Sequence, residues 1–277
     1  MSKSSSKPLK LNYSSDAFEG TADYYIRYRI PYPKVLIGDL LKRSNIPPKS
    51  KLLDIACGPG RIAIPLAPHF TQVLANDAEP EMINAGKREA GKAGIKNIKW
   101  ILDKAEKLKM ESNSIDLITI GAAFHRLDQN VIAKLALSWL KPGSHIAIIG
   151  CNSLVRGSEP WHKAVYKIVH KRTLLSSSNA EETSERRKLR EAKQYKLILE
   201  ENGFAECENY SFNITNYRTA ESIIGYLYST SVCSKRVIGD GAAEFESEIK
   251  SALNKINKQD RFFENIQCGY NIGRKPF

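Results

Sequence analysis

Between Lys51 and Ile149 short apolar segments alternate with helical ones, and few chain folds satisfy that order. Leu52–Ala56, Val73–Asn76, Ile98–Ile101, Ile115–Ile120 and Ile146–Ile149 read as strands. Helices are expected over Ile62–Ala67, from Pro80 to about Gly94, and over Val131–Leu140, where Val131, Ile132, Leu135, Ala136, Trp139 and Leu140 form one apolar stripe. Lys141-Pro142-Gly143 stops that last helix. Strands that are apolar throughout, separated by helices, predict an α/β chain with a parallel sheet covered on both faces.

The flanks read differently. Residues 1–15 are rich in Ser and Lys and are expected to be a disordered tail. From Ala17 to Pro33 tyrosines crowd between arginines, and Leu36, Ile37, Leu40 and Leu41 then recur at helical spacing. After Cys151 the alternation breaks. One helix is expected near Trp161–Leu174, a Ser-rich turn at Ser176–Asn179, and another helix from about Glu185 to Glu201. Strands at Ala205–Ile214 and Arg261–Tyr270 bracket helices over Ala220–Tyr228 and Ala242–Ile256.

The chain of 277 residues is strongly basic, with a net charge of +12, concentrated in the first 50 residues and in 151–200. Such patches attract anionic ligands or nucleic acid, but no aromatic-studded RNA-binding consensus accompanies them. No run of apolar residues is long enough to cross a membrane. The five cysteines are scattered and never in a C-x-x-C pair, which argues against a disulfide framework or a metal cluster and fits a reducing cytoplasm.

Gly58-Pro59-Gly60-Arg61-Ile62-Ala63 matches G-x-G-x-x-[GA] between a strand and a helix, and Asp77 closes the next strand. Glycines let a ligand approach the backbone, and the acid can accept hydrogen bonds from ribose hydroxyls. Two ligand classes compete for such a turn. A dinucleotide brings a pyrophosphate, which wants a helix N-terminus free of anions. S-adenosylmethionine brings an ammonium, a carboxylate and a sulfonium. Asp54 on the preceding strand would repel the first and suit the second.

Leu53-Asp54-Ile55-Ala56-Cys57-Gly58-Pro59-Gly60 resembles the first motif of class I S-adenosylmethionine-dependent methyltransferases. Asn76-Asp77, Asp103-Lys104-Ala105-Glu106 and Ala122–Asp128 follow in the family's order. Upstream, Tyr25–Pro33 is similar to the Y-x-x-Y-R-P-x-Y-P segment of a small-molecule branch, with Ile30 where that pattern has proline. Arg126 stands where an aromatic usually follows the histidine. The resemblance implies a Rossmann-like, doubly wound, mostly parallel seven-stranded sheet with an antiparallel last strand and a helical lid insertion. It divides residues 16–277, one domain, into an N-terminal helical cap (16–50), a cofactor-binding core (51–150), a helical insertion or lid (151–200) and C-terminal strands and helices (201–277).

The same resemblance implies roles. Gly58 and Gly60 would pass the methionine moiety, Asp54 would orient its amine, and Asp77 would hold the ribose. Asp103, Lys104 and Ala105 would meet the adenine, and Gly121 would lie beneath the cofactor. Arg29 could pair with the cofactor carboxylate while Tyr25 and Tyr28 fold over it. Methyl transfer is an in-line displacement for which the protein mainly supplies orientation. His125 is the candidate base where the acceptor carries a proton that must leave. Trp161, His162 and Tyr226 are candidate acceptor contacts. The expected reaction uses S-adenosyl-L-methionine, yields S-adenosyl-L-homocysteine, and methylates an O or N atom of a small molecule without a metal. No nucleic-acid or membrane partner is expected. An RNA or protein methyltransferase, or a non-catalytic cofactor-binding protein, are the alternatives.

Overall fold

A computed structural model describes residues 18–151, 159–176 and 195–277. The expected tail at 1–15, most of the Ser-rich turn and the helix start near Glu185 lie outside the described residues. The chain opens with helices α1 (Ala22–Tyr28) and α2 (Lys34–Ser44), then alternates β1 (Lys51–Ile55), α3 (Ala63–Leu66), β2 (Gln72–Asp77), α4 (Pro80–Lys92), β3 (Ile98–Leu102), β4 (Ile115–Gly121), α5 (Gln129–Trp139) and β5 (Leu140–Cys151). After these come α6 (Pro160–Ser176), α7 (Tyr195–Glu201), β6 (Ala205–Arg218), α8 (Ala220–Tyr228), α9 (Lys235–Ile238), α10 (Ala242–Ile256) and β7 (Phe262–Arg274).

The seven strands form one sheet in the order β3-β2-β1-β4-β5-β7-β6. The neighbours from β3 through β5 pair in parallel. Only β7 runs against its neighbours, pairing antiparallel with both β5 and β6. This is the Rossmann-like sheet with an antiparallel last strand that the sequence pattern and the family resemblance lead one to expect.

Strand alternation sorts the apolar side chains between two cores. Leu52, Leu117 and Ala147 face one side, where Leu36 and Leu40 of α2 and Ile83 of α4 cover them. Leu53, Ile118, Ile146 and Ile148 face the other, against Ile132 and Trp139 of α5 and Ile198 of α7. Each buried Leu or Ile contributes roughly 1.5–3 kcal/mol to folding, so a strand with both faces filled is strongly held.

Several elements depart from the expected pattern, among them β5, which begins at Leu140 rather than Ile146. The helix after Gly60 stops at Leu66 and continues as a tighter turn over Ala67–His69, because Pro65 and Pro68 each lack the N–H a longer helix needs. Strands β6 and β7 run longer than expected. Pairing of β5 with β7 ends at Cys151 opposite Cys268, while β6 and β7 stay paired as far as Arg218 opposite Phe262. Residues 213–218 and 262–267 thus extend past β5 as a two-stranded arm. The strand expected from the sequence stops at Ile214, and the extension to Arg218 contains Asn216, a residue type depleted in strands.

The arm carries a third core. Phe262 packs there with Trp161 and Val165 of α6, Ile223, Tyr226 and Leu227 of α8, and Phe245 and Ile249 of α10. Thr219 and Ser222 cap α8 reciprocally. At residue 225 α8 has glycine, where a Cβ would fall 2.2 Å from the ring of Tyr28. That gap seats α1 against α8.

The cysteines depart from the expected thiol state. Antiparallel pairing puts Cys151 directly opposite Cys268, with Cα atoms 3.9 Å apart, and the two are bonded. They are 117 residues apart in the chain, so nothing local announces the pairing. Cys57, Cys207 and Cys233 are free and buried. Among the described residues no helix is long and apolar enough to cross a membrane.

Candidate functional site

The chain leaves β1 for β2 on one side and later crosses from β4 to β5 on the other, so β1 and β4 flank the switch point of the sheet. Open α/β sheets present their ligand crevice there, outside the carboxyl ends of the strands. Backbone strain collects at that edge. Ala56 follows β1 with φ 52° and Ala122 follows β4 with φ 51°, both in the left-handed region that costs an alanine of order 1–3 kcal/mol. Gly58 (φ 54°) and Gly60 (φ 81°) continue the turn after β1 in the same region, where glycine has no such penalty.

Two carboxylates bracket this turn. Asp54 is fully buried on β1, opposite Thr119 of β4. Its Oδ1 accepts from Thr119 Oγ1 at 2.8 Å and its Oδ2 from the Ala63 amide at 3.0 Å, at the start of α3. Asp77 ends β2 and accepts from the Gly58 amide at 2.7 Å and the Glu79 amide at 2.9 Å. Asp77 therefore locks the first glycine from the neighbouring strand. Burial pushes the Asp54 carboxyl up to about 7 against the pull of its two hydrogen bonds, and the negative charge of Asp77 adds to the rise. Burial also raises Asp77, opposed by backbone amides of Glu79, Gly58 and Ala78 and by the charge of Arg126.

The third strand end joins through main chain. The Asp103 amide donates to the Asp77 carbonyl at 3.1 Å. Asn76 Nδ2 donates to the Asp103 carbonyl at 2.8 Å and holds the loop from beneath. The Asp103 carboxylate accepts from the Lys104 amide at 2.8 Å. Asp103 and Lys104 are exposed, and Ala105 is buried.

A cavity of about 20 Å³ lies at the mouth of β1 and β4, lined by Tyr25, Tyr32, Asp54, Cys57, Arg61 and Gly121 among others. A Cβ at Gly121 would meet Ile62 Cδ1 at 2.5 Å and the Tyr32 hydroxyl at 3.1 Å, so this floor admits only glycine. Space of this size holds about one water.

The structure thus brings Asp54, Gly58, Gly60, Asp77, Asp103, Ala105 and Gly121 to one edge, with Tyr25 above them. His125 is half-buried in the turn Phe124–Arg126 that follows β4. Tyr28 turns away from the cavity, donating to Glu221 at 2.8 Å and stacking on Tyr24. Arg29 lies between the rings of Tyr25 and Tyr226. Trp161 is buried in the third core, its Nε1 donating to the Phe263 carbonyl at 2.7 Å. His162 is buried beside it, with Nδ1 accepting from the Glu159 amide at 3.2 Å. Burial and then the nearby Arg218 push His162 down to about 4, so it is neutral at neutral pH.

Residues the sequence left unassigned also line the site. Tyr32 and Arg61 were legible inside the tyrosine segment and the glycine turn. Thr119 was not, because its link to Asp54 exists only through strand register.

A pH dependence follows from Asp54. Its folded-state pKa lies above the ordinary carboxylate value, so its contribution to stability is most favourable in acid and is lost as pH rises through about 7. A cation bound beside it reverses the preference. Affinity for a cationic ligand such as S-adenosylmethionine should rise from pH 6 to 8 with proton release, and Asp54→Asn should flatten the profile. Calorimetry in buffers of different ionisation enthalpy measures both.

Comparison with known proteins places a domain on this edge. Residues 52–143 match the family model described as a methyltransferase domain. The chain is 29% identical over 167 residues to the 23S rRNA (uracil(1939)-C(5))-methyltransferase RlmD of Shewanella sediminis, covering 58% of this chain and 35% of that protein. It is 26% identical over 185 residues to the mitochondrial 2-methoxy-6-polyprenyl-1,4-benzoquinol methylase of Caenorhabditis elegans, covering 61% and 64%. The chain therefore spans less than two thirds of either relative. The crystal structure of the YcgJ protein from Bacillus subtilis superposes with a TM-score of 0.55 at 16% identity, over 88% of this chain and all of that one. What this chain has in common with known proteins is thus similarity to the methyltransferase-domain family over residues 52–143, the segment that carries Asp54, Gly58, Asp77 and Asp103.

Proposed function

We propose that this chain is an S-adenosylmethionine-dependent methyltransferase acting on an O or N atom of a small molecule. The observation that carries the reading is the pair of carboxylates, buried Asp54 and half-buried Asp77, on either side of a left-handed glycine turn. A pyrophosphate at that turn would face both negative charges. An ammonium, a sulfonium and ribose hydroxyls would each find an acceptor there, and Gly121 keeps a floor that a Cβ would fill. The residues present therefore fit this cofactor.

Once bound, S-adenosylmethionine supplies an activated methyl group on its sulfonium. The protein orients the partners. Asp54, held by Thr119 and the Ala63 amide, faces the amino-acid end. Asp77 takes the ribose hydroxyls, and the Asp103–Ala105 loop takes the adenine edge. Tyr25 and Tyr32 exclude water above the turn. His125, beyond β4, accepts the proton from a hydroxyl acceptor. His125→Ala is expected to slow such an acceptor by about a hundredfold, read as release of S-adenosylhomocysteine. A wild-type rate would leave His125 as a packing residue.

The reading is tested by titrating the protein with S-adenosylmethionine, S-adenosylhomocysteine and NADH. Binding of the first two without NADH supports it, and binding of NADH alone overturns it. The net charge of +12 favours a second reading, methylation of RNA. That reading requires polyanion affinity that falls steeply with salt.

A further inference from the structure

Arg29 and Arg61 lie close to each other near the glycine turn, and among the described residues neither forms an ion pair. Arg61 lines the cavity, and its Nη2 donates to the carbonyl of Arg29. Arg29 Nε donates to Ser229 Oγ at 2.8 Å and its Nη2 to the Ser229 carbonyl at 3.3 Å. Its Cζ sits 4.7 Å from the centre of the Tyr25 ring and 4.6 Å from that of Tyr226. Tyr25 also lines the cavity, so Arg29 is one ring's thickness from it. Neither guanidinium is in contact with a carboxylate among the described residues, although the charge of Glu89 reaches Arg61. Arg27, Arg43, Arg88, Arg172, Arg218 and Arg274 each pair with a carboxylate, several of them in fuller contact with water.

Charges withdrawn from water are normally paired. Burial and the neighbouring charge of Arg29 both lower the pKa of Arg61, as expected for like charges held together. The proposed cofactor does not balance them. Its ammonium and sulfonium outnumber its single carboxylate, and Asp54 faces the cationic amino-acid end while Asp77 takes the ribose. One carboxylate at the cavity can answer Arg61. The other guanidinium keeps its charge, with free N–H donors beyond the two that hold Ser229. Aromatic rings above and below it orient its plane, leaving the edge for an oxyanion.

We propose that Arg29 anchors a carboxylate or phosphate carried by the methyl acceptor, so that the chain methylates an anionic small molecule. This rests on reading the site as one for S-adenosylmethionine. Arg61 then serves the cofactor carboxylate, and Tyr226 and Ser229 of the α8 region position Arg29 for the acceptor.

The test uses the full chain saturated with S-adenosylhomocysteine and titrated calorimetrically with citrate, malonate or inorganic phosphate, with glycerol as the neutral control. Binding of an oxyanion but not glycerol is expected, and the carboxylates against phosphate tell which group fits. Arg29→Gln should weaken the oxyanion tenfold or more while S-adenosylhomocysteine affinity stays within threefold. Arg61→Gln should show the reverse. Arg29→Lys keeps the charge and should retain part of the oxyanion affinity, which separates lost charge from lost folding. No oxyanion binding to the wild-type complex overturns the proposal. So does a tenfold loss of S-adenosylhomocysteine affinity in Arg29→Gln, which would give Arg29 to the cofactor. Failure of the wild type to bind S-adenosylhomocysteine would instead overturn the methyltransferase reading beneath it.

Discussion

Glu264→Ala is expected to destabilise the protein by about 3–5 kcal/mol, the cost of stranding one partner of a buried ion pair. Glu264 and Arg218 are 2% and 5% exposed, and Arg218 Nε donates to Glu264 Oε1 at 2.7 Å. The same oxygen accepts from Asn216 Nδ2 at 2.8 Å. Removing the carboxylate leaves a buried guanidinium whose remaining partners among the described residues are the Tyr28 carbonyl, at 3.3 Å, and the Tyr226 ring. Against a usual total of about 5–15 kcal/mol, this is a large fraction. The midpoint of urea unfolding measures it. Glu264→Gln, which keeps a carbonyl acceptor, should lose less. A midpoint unchanged in Glu264→Ala would mean that water reaches Arg218. The loss should also loosen α1, because Arg218 ties the end of that helix through Tyr28.

The second large effect is on binding. Asp77→Ala should weaken S-adenosylhomocysteine by about 1.5–3 kcal/mol, the range for hydrogen bonds to a charged group. That corresponds to roughly ten- to 150-fold in affinity at 25 °C. Part of the loss is indirect, because Asp77 also holds the Gly58 amide and so the shape of the glycine turn. Asp77→Asn separates the two contributions. It keeps an acceptor for one backbone amide and loses the charge, so it should fall between wild type and Asp77→Ala. Affinity unchanged in Asp77→Ala would remove the ribose from this residue.

Much of the frame was legible in residues adjacent along the chain. The strands β1 and β4 are short and apolar because both faces of the sheet are covered there, and that signature needs no knowledge of partners. The helices Ala220–Tyr228 and Ala242–Ile256 have the bounds their periodicity suggests. The turn Gly58-Pro59-Gly60 and the acids Asp54 and Asp77 stood out because glycine and charge are unusual at strand ends. Their meeting follows once β1 and β2 pair in parallel, with Ile55 beside Asn76.

Other features depended on partners far away in the chain. Trp161 and His162 read as candidate acceptor contacts, and both are buried, Trp161 against Phe262 and the Phe263 carbonyl of the arm. Local pattern ends the first strand of the arm at Ile214, and pairing with β7 carries it on to Arg218. Arg29 was readable as a basic residue among tyrosines. That it lacks an acid, and stacks between Tyr25 and Tyr226, depends on a residue 197 positions later. The bond between Cys151 and Cys268 arises from the same cause, since register sets which residues face one another across strands. Local pattern encodes which face of an element is apolar. Which distant side chain that face meets is decided by strand order and register, through contacts that form only when the whole sheet closes.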